Sequence, residues 1–272
     1  MRKVLVTLEF IDDRLEGYQR RQGRLEEKFL VCIDGNIGSR KADFMKKLKE
    51  INEQSRHAHV VTVIREPLEK LTKQMTAFYG ALHAGPAASE EHKKHCSQFE
   101  KALFQHHLSV ATDPRTSHVI SERSMQAKVH VFNQLNLEEG RLSQEAHDEM
   151  LQTYDQKIRG RASQEPHAVL FFEISVQQAK ASIANRGRAG EEHITEEYLK
   201  GIEEKYDKLY PSDAKHVLRL ESDHPMEDLL NTIQNELPKI LEARSSASRQ
   251  ELDEFMKFFK DLRQHADDQP PN

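Results

Sequence analysis

Five short apolar runs constrain this chain more than any other feature: Phe29–Ile33, Val60–Ile64, His118–Ile120, Ala168–Ile174 and His216–Leu220. Each is rich in Val, Ile, Leu or Phe, and most are continuous rather than alternating. A strand with one wet face alternates; a strand buried on both faces does not, which is how parallel sheets read. Longer stretches with helical spacing separate the runs. Phe44, Leu48 and Ile51 follow the first, and Leu199, Ile202, Tyr206 and Leu209 share one face further on. Thr195 stands where a hydroxyl caps that second helix, and Glu196 and Glu197 suit its positive end. The alternation predicts an α/β domain, a doubly wound five-stranded parallel sheet flanked by helices and joined by right-handed crossovers. Ligands of such a sheet sit at the carboxyl ends of its strands.

A length of 272 residues accommodates one such domain with appendages, and a hydrophobic share of 37% still builds a core at this size. We expect an appended arm over 1–28, the α/β domain over 29–242, and a linker with an amphipathic helix over 243–272. In that helix Leu252, Phe255, Met256, Phe259 and Leu262 form a stripe suited to packing on the domain or on a partner helix. Gly80–Ser97, with Gly85-Pro86, reads as a loop. Forty Lys and Arg against 45 Asp and Glu leave a net charge of −5 spread along the chain, so no nucleic-acid partner is expected. No apolar run approaches the roughly 18 residues of a membrane span. Cys32 and Cys96 are too few for a disulfide scaffold, and Cys32 reads as a buried free thiol. The first residues lack the pattern of a secretory signal, and the expected compartment is the cytoplasm or the mitochondrial matrix. His92-x-x-His95-Cys96 lacks a second ligand pair and is not read as a metal site. His106 and His107 read as surface or helix residues.

The first run leads into Asp34-Gly35-Asn36-Ile37-Gly38-Ser39-Arg40-Lys41-Ala42-Asp43, and a helical pattern follows. A strand, a Gly-rich turn and a helix start are the layout that binds phosphate, through backbone N–H groups and the helix end. Against the pattern G-x-x-x-x-G-K-[ST], Gly35 and Lys41 fit, while Arg40 replaces the second glycine and Ala42 the hydroxyl residue. Taken alone, a plain strand–turn–helix explains the segment equally well. Four further stretches follow in order. They are Arg65-Glu66-Pro67 after the second run, Phe104-Gln105 before the third, Glu122-Arg123-Ser124 after the third, and Arg186-Gly187-Arg188-Ala189-Gly190-Glu191-Glu192 with Tyr198-Leu199 after the fourth. In this order the set resembles the deoxyribonucleoside kinase family, with its G-N-I-G-S-G-K-[ST] loop, E-P, F-Q and E-R-S motifs and R-x-R-x-E-E lid. The resemblance spans about Phe29 to Leu220.

The resemblance implies a P-loop kinase-like fold, ATP and Mg²⁺ as donor and metal, a deoxynucleoside as acceptor, and a homodimer. Gly35, Asn36, Gly38, Ser39 and Lys41 then form the phosphate loop. Glu66 resembles the base that takes the proton of the sugar 5′-hydroxyl; the plainer reading is an ion pair with Arg65 or Lys70. Glu122 resembles the carboxylate that reaches Mg²⁺. Arg123 resembles the arginine spanning the 5′-oxygen and the moving phosphate, or simply pairs with Glu122. Gln105 matches the glutamine that pairs with a base edge, or is an exposed helix residue. Tyr79 and Glu191 match the groups on the 3′-hydroxyl, and a core tyrosine is the alternative for the first. Arg186 and Arg188 match lid arginines that stabilise transferring charge, or belong to a solvated loop.

Several positions depart from the pattern. Ala42 offers no hydroxyl to a metal, Arg40 brings a long side chain where backbone approaches phosphate, and Asp43 adds a repelling carboxylate. Asp34 stands for a Glu. Lys128 puts a cation where relatives help to choose the base. The acceptor-side set favours a kinase. The donor-side departures, the arm and the terminal helix favour the alternative, a non-catalytic accessory subunit of a larger assembly such as a mitochondrial respiratory complex.

Overall fold

The five runs form the strands β1 (Leu30–Gly35), β2 (Val61–Ile64), β3 (His118–Glu122), β4 (Ala168–Glu173) and β5 (Val217–Glu221) of one sheet. All neighbouring pairs are parallel, in the order β2-β3-β1-β4-β5. This is a computed structural model, and it describes residues 28–54, 60–83, 89–113, 117–161, 164–245 and 247–267. The expected N-terminal arm, Lys28 apart, lies outside the described residues. The helices between and after the strands are α1 (Lys41–Gln54), α2 (Thr72–His83), α3 (Glu90–Thr112), α4 (Met125–Ala127), α5 (Gln134–Glu138), α6 (Gln144–Lys157), α7 (Val176–Arg186), α8 (Glu196–Leu209), α9 (Met226–Arg244) and α10 (Arg249–Asp267). A π-helical turn over Lys128–Asn133 joins α4 to α5.

Every residue of β1 and β3 is buried, so neither strand needs alternation. One face of the sheet packs Val31, Ile33 and Phe172 against Phe44 and Leu48 of α1, Ile233 and Leu237 of α9, and Phe255 and Phe259 of α10. The other packs Val169 and Phe171 against α2, α3, α7 and α8 through Met75, Phe99, Ala179 and Ile202. The cap on α8 is the expected one, the Thr195 side chain accepting the Tyr198 N–H at 3.1 Å. Parallel register sets Ile33 beside Glu122 on one side and Leu170 on the other. The chain therefore leaves β1, β2 and β3 at the same edge, where Gly35, Glu66 and Arg123 follow.

One expectation changes and one is narrowed to a single alternative. Most of Gly80–Ser97 is helix rather than loop: α2 runs to His83 and α3 starts at Glu90, capped by Ser89 accepting the His92 N–H at 3.3 Å. Its Ala, Lys and Glu content is that of a helix burying one face, with Cys96 and Phe99 inside. Residues 84–88, with Gly85-Pro86, lie outside the described residues. The apolar stripe of α10 is covered by the chain's own domain. Phe255 is fully buried, its ring 5.3 Å from Phe29 and 5.0 Å from His118. Phe255→Ala should therefore lower unfolding free energy by about 3–5 kcal/mol. Urea denaturation checks this; a loss below about 1 kcal/mol would mean that α10 does not hold the sheet.

Candidate active site

The β1–α1 turn depends on two glycines. Gly35 has φ +146°, and a Cβ there would lie 2.6 Å from the Phe172 carbonyl oxygen; at Gly38, φ +85°, one would lie 2.5 Å from the Ala179 carbonyl oxygen. Asn36 fixes the turn from within, its side-chain oxygen accepting the Ile37 N–H at 2.8 Å and its amide donating to the Leu199 carbonyl at 2.9 Å. Lys41 is buried and donates to the Asn36 carbonyl at 3.0 Å. Ser39 Oγ is buried and has no hydrogen-bond partner among the described residues. Arg40 takes the left-handed backbone a glycine would take, φ +59°, and its exposed side chain turns out to the Ser222 carbonyl. Asp43 is also exposed, and neither side chain lines the cleft; the expected crowding and repulsion are turned to solvent. Ala42 does line the cleft and offers it a methyl group.

Arg123 is the second left-handed residue, at φ +69°. Such backbone costs of order 1–3 kcal/mol outside glycine and persists where its surroundings over-determine it. Here the Arg123 N–H donates to the Ile33 carbonyl at 2.9 Å, and its side chain donates to Glu66 Oε1 at 3.1 Å and Tyr206 Oη at 2.8 Å. The guanidinium also lies 4.1 Å over the Phe132 ring. Next door, Asp34 accepts the Ser124 N–H at 3.0 Å and the Tyr210 hydroxyl at 2.7 Å. Glu122 is buried and accepts the Glu66 N–H at 3.1 Å.

One cleft is lined by Lys41, Glu66, Tyr79, Glu122, Arg123, Lys128, Arg186, Arg188 and Glu191, with Phe99, Leu103 and Phe132 as apolar wall. Glu191 is 2% exposed and holds both lid arginines, Arg186 at 2.7 Å and Arg188 at 3.1 Å. Burial alone would raise the Glu66 carboxyl, but the Arg123 guanidinium and His107 outweigh it and hold the group well below the usual carboxylate range. Burial, then the Glu66 charge, pushes Glu122 up. Burial, then Arg123, brings Lys41 down to about 7. Burial, then Glu191, raises the Tyr79 hydroxyl.

Gln105 is the site residue the structure does not bring in. It is exposed on α3, whereas the cleft face of that helix carries Phe99 and Leu103. Position 105 stands about 200° around the helix from 103, which turns it away. Sequence reasoning missed what fills its place. Glu100, on the same turn as Phe99, forms a fully buried ion pair with Lys128 of the π-helical turn and accepts the Asn136 amide at 3.2 Å. It also missed His107, which is 2% exposed and 3.1 Å from Glu66 rather than a surface residue. The one available signal was the i, i+4, i+8 spacing of Phe99, Leu103 and His107, which puts the histidine on the cleft side of α3.

Residues 31–246 match the model of the deoxynucleoside kinase family, and the chain belongs to that family. A kinase protein of Invertebrate iridescent virus 6 is 24% identical over 179 residues, 65% of this chain and 80% of its own. The thymidine kinase of Ictalurid herpesvirus 1 (strain Auburn) is 23% identical over 210 residues, 77% of this chain and 86% of its own. Among solved structures, deoxyadenosine kinase from M. mycoides with dCMP and dCDP superposes with a TM-score of 0.58 at 18% identity, covering 78% of this chain and all of that one. The fold is thus that of the P-loop deoxynucleoside kinases. Among the described residues no helix is long and apolar enough to cross a membrane.

The depressed Lys41 has a consequence for stability. Between pH about 7 and 10.5 the unfolded chain holds a proton on Lys41 that the folded chain has lost. Stability contributed by this group therefore rises with pH across that window. Lys41→Met should remove that rise, read as the difference between the two proteins' unfolding free energies from pH 7 to 10; parallel profiles would mean that Lys41 titrates normally.

Proposed function

We propose that this protein transfers the γ-phosphoryl group of ATP to the 5′-hydroxyl of a deoxynucleoside. The observation that carries the reading is the direct Glu66–Arg123 contact of 3.1 Å in a cleft shared with Lys41 and the lid arginines. A hydroxyl seated at Glu66 then has a proton acceptor on one side. On the other it has cations aimed where charge moves, which is the greater part of phosphoryl-transfer catalysis. Glu66 accepts the 5′-proton. Arg123, Arg186 and Arg188 neutralise the transferring group, and Lys41 the outer phosphates. The turn at Gly35, Asn36, Gly38 and Ser39 supplies backbone donors. Tyr79 and Glu191, in the same cleft lining, suit the 3′-hydroxyl. Exposure of Arg40 and Asp43 and coverage of the α10 stripe by the domain answer three of the features that favoured an accessory subunit, while Ala42 remains in the cleft lining.

Mg²⁺ fits this donor set. The ion takes one or two carboxylates and otherwise phosphate oxygens and waters. Glu122 keeps one carboxylate oxygen free of the Glu66 N–H bond, the orphaned Ser39 hydroxyl lies in the adjoining turn, and Ala42 leaves one position to water. When bound, the ion neutralises phosphate charge.

The same cleft bears on the base. Lys128, whose side chain can only donate hydrogen bonds, belongs to the cleft lining and is paired with Glu100, which does not. We infer a preference for bases with an exocyclic oxygen at that edge, thymine or guanine, over cytosine and adenine with an amino group there. The name of the thymidine kinase relative accords with this, and that of the deoxyadenosine kinase of the same fold does not.

Two measurements test these readings. With ATP and the four deoxynucleosides, Glu66→Gln should lower kcat by about 10²–10⁴-fold with nucleoside KM nearly unchanged, because only proton removal is lost. Undiminished turnover would remove Glu66 from the chemistry. The wild type should favour thymidine and deoxyguanosine in kcat/KM by about tenfold or more, one good hydrogen bond's worth. The paired change Glu100→Gln with Lys128→Met, which leaves no buried charge alone, should erase that ratio. A wild-type preference for deoxycytidine or deoxyadenosine would reject the base reading and leave the transfer reaction standing.

A further inference from the structure

His107 lies behind the cleft, off its lining, with Nε2 3.1 Å from Glu66 Oε1. The same oxygen takes the Arg123 Nε–H at 3.1 Å, while the outer end of that guanidinium turns to Tyr206 and the Gly35 carbonyl. Arg123 thus does not grip the carboxylate as a two-pronged fork, and one donor alone leaves it free to rotate, since the terminal torsion of Glu is broad. An ionised carboxylate only accepts hydrogen bonds, so the hydrogen between the two groups sits on Nε2. Nδ1 is buried and has no hydrogen-bond partner among the described residues, so a second proton there would be an orphaned donor. The ring therefore meets the carboxylate as a donor through Nε2. His106 packs edge-on against it at 5.2 Å.

From this geometry we propose that His107 is a positioning residue for Glu66. Its Nε2–H and the Arg123 Nε–H lock Oε1 from two directions and leave Oε2 as the oxygen offered to the substrate hydroxyl. The proposal rests on the reading of Glu66 as the proton acceptor. His107 touches neither substrate nor phosphate; it acts through the carboxylate, and its loss should appear in kcat and not in nucleoside binding.

Amide substitutions of different reach separate this from a packing role. In His107→Gln the amide nitrogen comes close to the position of Nε2 and keeps a donor to Glu66. In His107→Asn it ends near the position of Nδ1, short of the carboxylate. With ATP and the best of the four deoxynucleosides, His107→Asn should lower kcat by about 10- to 100-fold, the range expected for a misplaced reacting group, with nucleoside KM within about threefold. His107→Gln should keep kcat within a few-fold. In a Glu66→Gln background, His107→Asn should cost nothing further. Equal kcat for the Asn and Gln variants, a loss confined to KM, or the same fold-loss in both backgrounds would overturn the proposal and leave Glu66 as base untouched. Full turnover by Glu66→Gln alone would take down both readings. Should His107→Asn fail to fold by circular dichroism, His107→Leu carries the same expectations and the same overturning results.

Discussion

Arg123 joins what the sheet delivers separately. Its backbone, in a conformation that a side chain disfavours, is tied to β1 through the Ile33 carbonyl. The side chain then reaches the carboxylate that follows β2 and the Tyr206 hydroxyl on α8. Three segments, β1, the chain after β2 and α8, are thereby tied to one residue. A buried arginine cannot shed its proton, so its charge must be met where it stands, and Glu66, with Glu122 beyond it, meets it. The strain at φ +69° is the cost of aiming this cation across the strand ends.

The rest of the cleft follows the same balance. Lys41, Arg123, Arg186 and Arg188 face Glu66, Glu122 and Glu191 in one cavity wall. Buried ions persist only when paired and hydrogen-bonded. Before any ligand enters, Glu191 occupies both lid arginines and the Asn36 carbonyl occupies Lys41. The donors of this cleft are thus oriented in advance by contacts within the chain itself. The turn between β1 and α1 keeps its shape despite Arg40, because a left-handed backbone at that position can send the side chain outward to Ser222.

Much of this was legible before the structure. Continuous apolar runs placed all five strands within a residue or two, and the stripe from Leu199 to Tyr206 placed α8 on the sheet. Spaced motifs named Glu66, Tyr79, Arg123, Arg186, Arg188 and Glu191, and these line one cleft. What stayed hidden shares a cause. Gln105 satisfied a two-residue motif, but helical phase decides which side of α3 faces the cleft, and Phe99 and Leu103 had already set that phase. Lys128 was singled out by its position, but Glu100, 28 residues away, looks like an ordinary surface charge until packing buries the two against each other. The polar run before Ser97 resembled a loop because only one face of its helix is apolar.

The sequence by itself determined the sheet, its helices and the glycine turn between β1 and α1, because strand burial, helix spacing and turn composition are properties of neighbouring residues. Tertiary structure alone decided where α10 lies, that Arg40 and Asp43 point to solvent, and that His107 stands behind Glu66. Those outcomes are contacts between residues far apart in the chain, His107 and Glu66 being 41 positions apart and Asp34 and Tyr210 being 176 apart. No local pattern encodes such distances. They arise when burying apolar faces brings separate elements together, and each buried charge must then find its counter-charge among whatever side chains that packing has placed nearby.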